Sequence, residues 1–131
     1  MSAFTGGCAC GAIRYECAEP ALAMVNCWCR DCQRAGGSSH APTLVVRRKA
    51  LRIERGEPKL YERTADSGNT ARREFCGVCG SPLFASSSAR PDDVGIRAGS
   101  LDDPSVFAPA RNVWTKSAPP WAVLDPDLPS R

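Results

Sequence analysis

Apolar and polar positions alternate along this chain in short stretches. Between Cys10 and Cys17, Ala12, Arg14 and Glu16 share one face and Ile13, Tyr15 and Cys17 the other, the period of a strand with one buried side. Thr43 to Arg47 is rich in β-branched residues and Leu51 to Arg55 alternates, so both predict strands. Gly56-Glu57-Pro58 predicts a turn before a short strand around Leu60-Tyr61, and Asp66-Ser67-Gly68-Asn69 predicts a hairpin tip. Arg72 to Phe75, Pro82 to Ala85 and Val94 to Ala98 predict further short strands. Asp102-Asp103-Pro104-Ser105 is suited to cap one helical turn. A cysteine-rich segment, 27–32, runs into a Gly/Ser loop at 34–39. From about residue 109 the chain carries five prolines, which predicts an extended tail lying over the body. The pattern as a whole predicts one all-β domain of short strands across 1–131.

Composition raises a difficulty with that domain. Of 131 residues, 43% count as hydrophobic, but 18 residues are Ala and 8 are Cys. Leu, Ile, Val and Phe together number only 23, low for a globular domain of this length. A core this lean needs a further source of stability. The net charge of +3 lacks the high-charge half of the disorder signature. No run approaches the roughly 18 apolar residues of a membrane span. The segment Met1 to Gly7 has neither a basic region nor an apolar core, so a cytoplasmic protein with reduced thiols is expected. Eight cysteines in that setting point to metal binding or redox chemistry more than to disulfides.

Seven of the eight fall into three groups: Cys8-Ala9-Cys10, Cys27-Trp28-Cys29-Arg30-Asp31-Cys32 and Cys76-Gly77-Val78-Cys79. Sulfurs arranged tetrahedrally around zinc at about 2.3 Å sit about 3.8 Å apart, a spacing that a C-x-x-C turn can reach. Gly77 and Gly80 relieve crowding where that turn bends. A C-x-C pair in a strand also suits the spacing, because alternate residues share a face. Cys8, Cys10, Cys76 and Cys79 therefore make a natural closed, structural zinc site. Cys27, Cys29 and Cys32 supply only three sulfurs, the catalytic pattern with an open fourth position. Alternatives are a second structural site completed by Cys17 or His40, or three thiols that stay metal-free or partly oxidised. Cys17 fits an inert core residue and His40 a solvated loop residue.

The basic cluster Arg47, Arg48, Lys49, Arg52 and Arg55 reads as a solvated strand face, so nucleic acid is not the expected partner. Trp28 could wall a pocket or pack on the core. Asp31 could accept a proton near the open position or cap its turn. Trp114 and Trp121 are suited to pin the tail.

With these residues in place, the chain resembles the glutathione-dependent formaldehyde-activating enzyme family, whose domain is shared with centromere protein V. The matching segments are Gly7-Cys8-Ala9-Cys10-Gly11-Ala12-Ile13-Arg14-Tyr15, Cys27 to Cys32 with Arg34 and Gly36-Gly37, Phe75-Cys76-Gly77-Val78-Cys79-Gly80-Ser81-Pro82-Leu83, and Gly99-Ser100-Leu101-Asp102-Asp103-Pro104. The resemblance implies a β-tent fold around a structural zinc on Cys8, Cys10, Cys76 and Cys79. It also implies a second, catalytic zinc on Cys27, Cys29 and Cys32. The implied activity is carbon–sulfur lyase chemistry that joins glutathione, or a similar small thiol, to formaldehyde or another aldehyde, giving S-(hydroxymethyl)glutathione in the named case. One departure stands out: where family members often carry His-Ile-Trp, this chain has Asn112-Val113-Trp114, with Lys116 and Trp121 following. The rival readings are a zinc-stapled binding module without catalysis and a thiol redox or zinc-buffering protein.

Overall fold

The computed structural model describes residues 2–131. In chain order its strands are β1 (Phe4–Gly7), β2 (Arg14–Cys17), β3 (Ala23–Cys27), β4 (Ala41–Arg47), β5 (Leu51–Arg55), β6 (Lys59–Thr64), β7 (Thr70–Phe75), β8 (Pro82–Ser87), β9 (Asp93–Arg97) and β10 (Arg111–Val113). One helix, α1 (Arg30–Gly36), lies between β3 and β4. Strands β1-β2-β5 form a small sheet, and β10-β3-β4-β9-β8-β7-β6 form a large one. All pairings are antiparallel except β10 with β3. The fold is all-β, as the alternation predicts.

The registers explain which face of the large sheet is buried. Met24, Leu44, Ile96 and Phe84 lie in one row across β3, β4, β9 and β8. This row, with Val46 and Val94, packs against Ile13, Tyr15 and Cys17. Those three were expected on one strand face, and all are at most 2% exposed. Tyr15 meets Phe84 edge to face, ring centroids 5.3 Å apart, and its hydroxyl lies 2.6 Å from Ser100 Oγ. Burial pushes the Tyr15 phenol up to about 12. Cys8, Cys17 and Cys76 belong to this same core, so cysteines do part of the work that missing aliphatics would do.

The next row belongs to the opposite face: Ala23, Val45, Gly95, Ala85, Arg73 and Tyr61. Helix α1 lies over this outer face. Its Asp31 accepts a bond from Arg63 of β6 at 2.6 Å, and its Cys32 reaches arginines of β7 and β9.

Several elements differ from the pattern. The strand read from Cys10 begins only at Arg14, and Cys10 sits in a turn. Residues 30–36 form a helix where turn and loop were expected, because Cys29 caps it by accepting from the Cys32 N–H and Gly37 closes it in the left-handed region at φ 70°. Strands β1, β3 and β10 carry no clear alternation and are held by their neighbours. Asp103 caps the helical turn 104–106 as expected. Trp114 and Trp121 do not pin the tail, being 57% and 72% exposed. Backbone pairing holds it instead: Asn112 donates to Pro129 at 2.8 Å, and Arg131 to Asn112 at 3.0 Å.

An ion pair joins the small sheet to the turn after β9. Arg14 makes a forked contact with Asp102, which also accepts from Thr5. The Arg14 guanidinium, helped by Thr5, holds the Asp102 carboxyl down at about 2. Both side chains are more than a third accessible or nearly so, 35% and 44%, so solvent screens the pair. Asp102→Asn should therefore cost about 1 kcal/mol or less at neutral pH. The carboxyl titrates lower in the folded chain than in the unfolded one. Its contribution is complete above the ordinary carboxylate range and is lost as pH falls toward about 2. Urea midpoints of the two proteins should differ near neutral pH and converge in acid. A gap that stays constant through that window would show that the pair's charge is not what stabilises.

Candidate metal centres

The first centre lies where two turns meet. Cys8 and Cys10 sit on the turn between β1 and β2, not in a strand, and Cys76 and Cys79 on the turn between β7 and β8. The four sulfurs all lie within 4.8 Å of one another. Cys8 Sγ is 3.6 Å from Cys10 Sγ, which is 3.8 Å from Cys76 Sγ. That is the spacing of sulfurs around a tetrahedral zinc, and far too long for a disulfide. Backbone N–H groups point at the sulfurs: Ile13 at Cys8 (3.2 Å), and Val78 and Cys79 at Cys76 (3.4 and 3.5 Å). These donors favour thiolates. Ser81 links the two arms, its hydroxyl 3.1 Å from Cys79 Sγ and accepting from the Ala9 N–H at 3.0 Å. The Ser81 hydroxyl and backbone draw the Cys79 thiol down to about 5.

The glycines of this turn differ in purpose. Gly80 adopts φ 79°, where a side chain would be strained. A Cβ at Gly77 would press on the stem of Lys59 at 2.9 Å, so Gly77 leaves room for the neighbouring strand.

The second centre is built on the outer face. Cys27 ends β3, Cys29 caps α1, and Cys32 occupies its first turn, with the Cys32 N–H 3.3 Å from Cys29 Sγ. These three sulfurs also lie within 4.8 Å of one another, and among the described residues no fourth Cys, His, Asp or Glu joins them. The candidates for a fourth ligand are accounted for elsewhere. Cys17 is fully buried in the core and faces the Glu19 carbonyl at 3.3 Å. His40 stacks on Trp28 with ring centroids 4.4 Å apart, and its Nδ1 lies 2.9 Å from Ser39 Oγ. Asp31 is held by Arg63.

Two arginines reach the second centre that the sequence pattern did not single out. Arg73 places Nη1 and Nη2 at 3.8 and 3.9 Å from Cys32 Sγ, and Arg97 places Nη2 at 3.8 Å. Arg97 is anchored by donating to Thr43 Oγ1 at 2.6 Å. The Cys27 and Cys29 thiols, then the Arg97 and Arg73 charges, draw Cys32 far below the ordinary thiol range. Cys27 is pushed far above it by Cys29, Cys32 and burial. Strand alternation could have placed Arg73 and Arg97 on outer faces. Only the registers show that they converge on one sulfur.

The remaining expectations resolve plainly. Trp28 is buried and donates its indole N–H to Asn112 Oδ1 at 3.0 Å. Asn112 therefore braces Trp28. The basic cluster is scaffolding: Arg52 pairs with Glu16 and Glu54, Arg47 with Glu19, Arg48 bonds the Pro91 carbonyl and Arg55 the Gly11 carbonyl. A cavity of about 490 Å³ is lined by Cys8, Arg14, His40, Pro42, Arg97 and Asp102, among others. None of the three sulfurs of the second centre lines it; Arg97 connects the two.

A sequence profile of the glutathione-dependent formaldehyde-activating enzyme family matches residues 3–117. The chain belongs to this family. It is 27% identical over 125 residues to a Halomonas elongata protein provisionally named as such an enzyme, covering 92% of this chain and 80% of that one. The crystal structure of a Rhodobacter sphaeroides protein superposes with a TM-score of 0.60 at 26% identity, covering 75% of this chain and 87% of that one. Both family-matched cysteine groups are brought together as sets, and all eight cysteines are free thiols.

The two centres should respond differently to mutation. A cation on four thiolates is worth on the order of 10 kcal/mol or more, comparable to the whole stability of a domain. Cys76→Ser should therefore abolish the cooperative thermal transition, and a strong chelator should do the same to the unmutated protein. Cys29→Ser should leave that transition within a few degrees of its original midpoint, since ~1 kcal/mol shifts it by about that much. Equal unfolding by both variants would show that the three-sulfur centre also holds the fold.

Proposed function

We propose that this chain catalyses the addition of glutathione, or a similar small thiol, to formaldehyde or another aldehyde, a carbon–sulfur lyase-type reaction. Zinc on Cys8, Cys10, Cys76 and Cys79 is structural in this reading, and a second zinc on Cys27, Cys29 and Cys32 is catalytic. The observation that carries it is the three-sulfur centre: three thiols converge, Cys27 and Cys29 partly accessible and Cys32 buried, with no fourth protein ligand among the described residues. The family's name and that of the Halomonas elongata relative support the substrates.

Zinc bound there would supply a site that takes up a thiol as its thiolate, or polarises an aldehyde oxygen. The protein's own residues do the remainder. Arg73 and Arg97 balance negative charge at Cys32. Arg97 and His40 line the cavity that suits a small molecule by its size, about 490 Å³. The substrate sulfur loses its proton and attacks the carbonyl carbon. A C–S bond forms, the carbonyl π electrons move to oxygen, and that oxygen takes up a proton. Eight free thiols suit a reducing, cytoplasmic setting.

The depressed Cys32 thiol also favours a second reading, thiol redox or zinc buffering. Zinc content separates the two: two ions per chain support the enzyme, whereas one ion with three readily labelled thiols supports buffering. Calorimetric titration of glutathione into metal-loaded protein tests the enzyme directly. Binding should be saturable and at least about tenfold weaker in Cys29→Ser, a loss above 1.4 kcal/mol. Equal binding by both proteins removes the middle cysteines from the site.

A further inference from the structure

We propose that Arg73 and Arg97 determine which ligand the open position of the three-cysteine centre accepts, selecting an anionic thiolate over a neutral donor. The inference rests on the metal-centre reading above and assigns its specificity to two residues of the outer face.

Charge arithmetic motivates it. A divalent cation with three thiolates carries −1, which would repel a further thiolate. Arg73 and Arg97 each place a guanidinium 3.8–3.9 Å from Cys32 Sγ, bringing the local sum to +1. Neither arginine has a carboxylate partner among the described residues: the ion pairs use Arg14, Arg47, Arg52 and Arg63. Their charge is therefore directed at the centre and not cancelled beside it. Arginine stays protonated at any working pH, so the field is constant. Hydrogen bonds to a ligating sulfur also draw electron density away from the metal, which favours an additional strong donor.

The sheet is built to hold this pair. Arg73 lies opposite Ala85, which lies opposite Gly95, so at this register the side chain between the two arginine-bearing strands is small. A Cβ at Gly95 would come within 2.8 Å of Thr43 Cγ2, and Thr43 is the residue that anchors Arg97. Arg97 also lines the 490 Å³ cavity, so one residue borders both that cavity and the three-sulfur centre.

The test uses cobalt(II)-loaded full-length protein, with sulfur-to-cobalt charge-transfer absorbance as the readout and metal content measured for every variant. Two probes are titrated at one pH: 2-mercaptoethanol, whose only charge when bound is its thiolate, and neutral imidazole. Arg97→Met and Arg73→Met should each weaken 2-mercaptoethanol by about tenfold or more and leave imidazole within about twofold, as expected for loss of one nearby charge. Arg97→Lys, which keeps the charge without the fork, should retain most of the discrimination. Parallel loss of both probes would show that the arginines only shape the site, and unchanged thiol affinity would show that they do nothing there; either overturns the proposal. A Met variant that loses the metal while Arg97→Lys keeps it would assign the charge to metal retention and also overturn it. Glutathione serves as a separate arm. Unmutated protein that discriminates between the probes but does not bind glutathione keeps this inference and sinks the proposed substrate. Glutathione binding equal in all variants does the reverse.

Discussion

The convergence of Cys8 and Cys10 with Cys76 and Cys79 is the constraint on which the rest of this protein depends. The sulfurs of Cys10 and Cys76 meet 3.8 Å apart across 66 residues of chain. They join a turn of the small sheet to a turn of the large one. Closing a loop of that length costs entropy that the sparse aliphatic core is poorly able to offset. Cys8 and Cys76 also belong to the buried cluster around Ile13, Tyr15, Leu44 and Ile96. Metal-binding geometry and core packing are thus properties of the same side chains.

That closure sets the two faces of the large sheet apart. The inner face packs Leu44, Ile96 and Phe84 against β2. The outer face is free to carry α1, the three-sulfur centre and the arginines. The thiols there act on one another: the sulfur neighbours, then Arg97 and Arg73, draw Cys32 down, while Cys29, Cys32 and burial push Cys27 up. Three sulfurs within 4.8 Å of one another suit a shared cation, which would relieve their mutual repulsion as thiolates.

Membership of the formaldehyde-activating family fits both faces. The four-sulfur centre, which we propose to be structural, brings four sulfurs within 4.8 Å and is braced by Ser81. The three-sulfur centre, which we propose to be the reactive one, has no fourth Cys, His, Asp or Glu among the described residues and is flanked by fixed positive charge. Asn112 supports Trp28 by accepting from its indole N–H. That hydrogen bond holds the tryptophan between Cys27 and Cys29 in place.

The sequence by itself determined the local features. Alternation at Ile13, Tyr15 and Cys17 identified the buried face of β2, and turn residues marked the β6–β7 hairpin. The spacing of the cysteines grouped them into four and three, because a metal site imposes short, recognisable intervals on the chain. Tertiary structure alone decided what depends on register. Helix α1 was hidden because its stabilisation comes from the Cys29 cap and from docking through Asp31 and Cys32, not from an apolar stripe. Strands β1, β3 and β10 were hidden because cross-strand partners define them. Arg73 and Arg97 looked like any outward-facing arginines. They meet at Cys32 only because β8 spaces β7 and β9 with Ala85 opposite both Arg73 and Gly95.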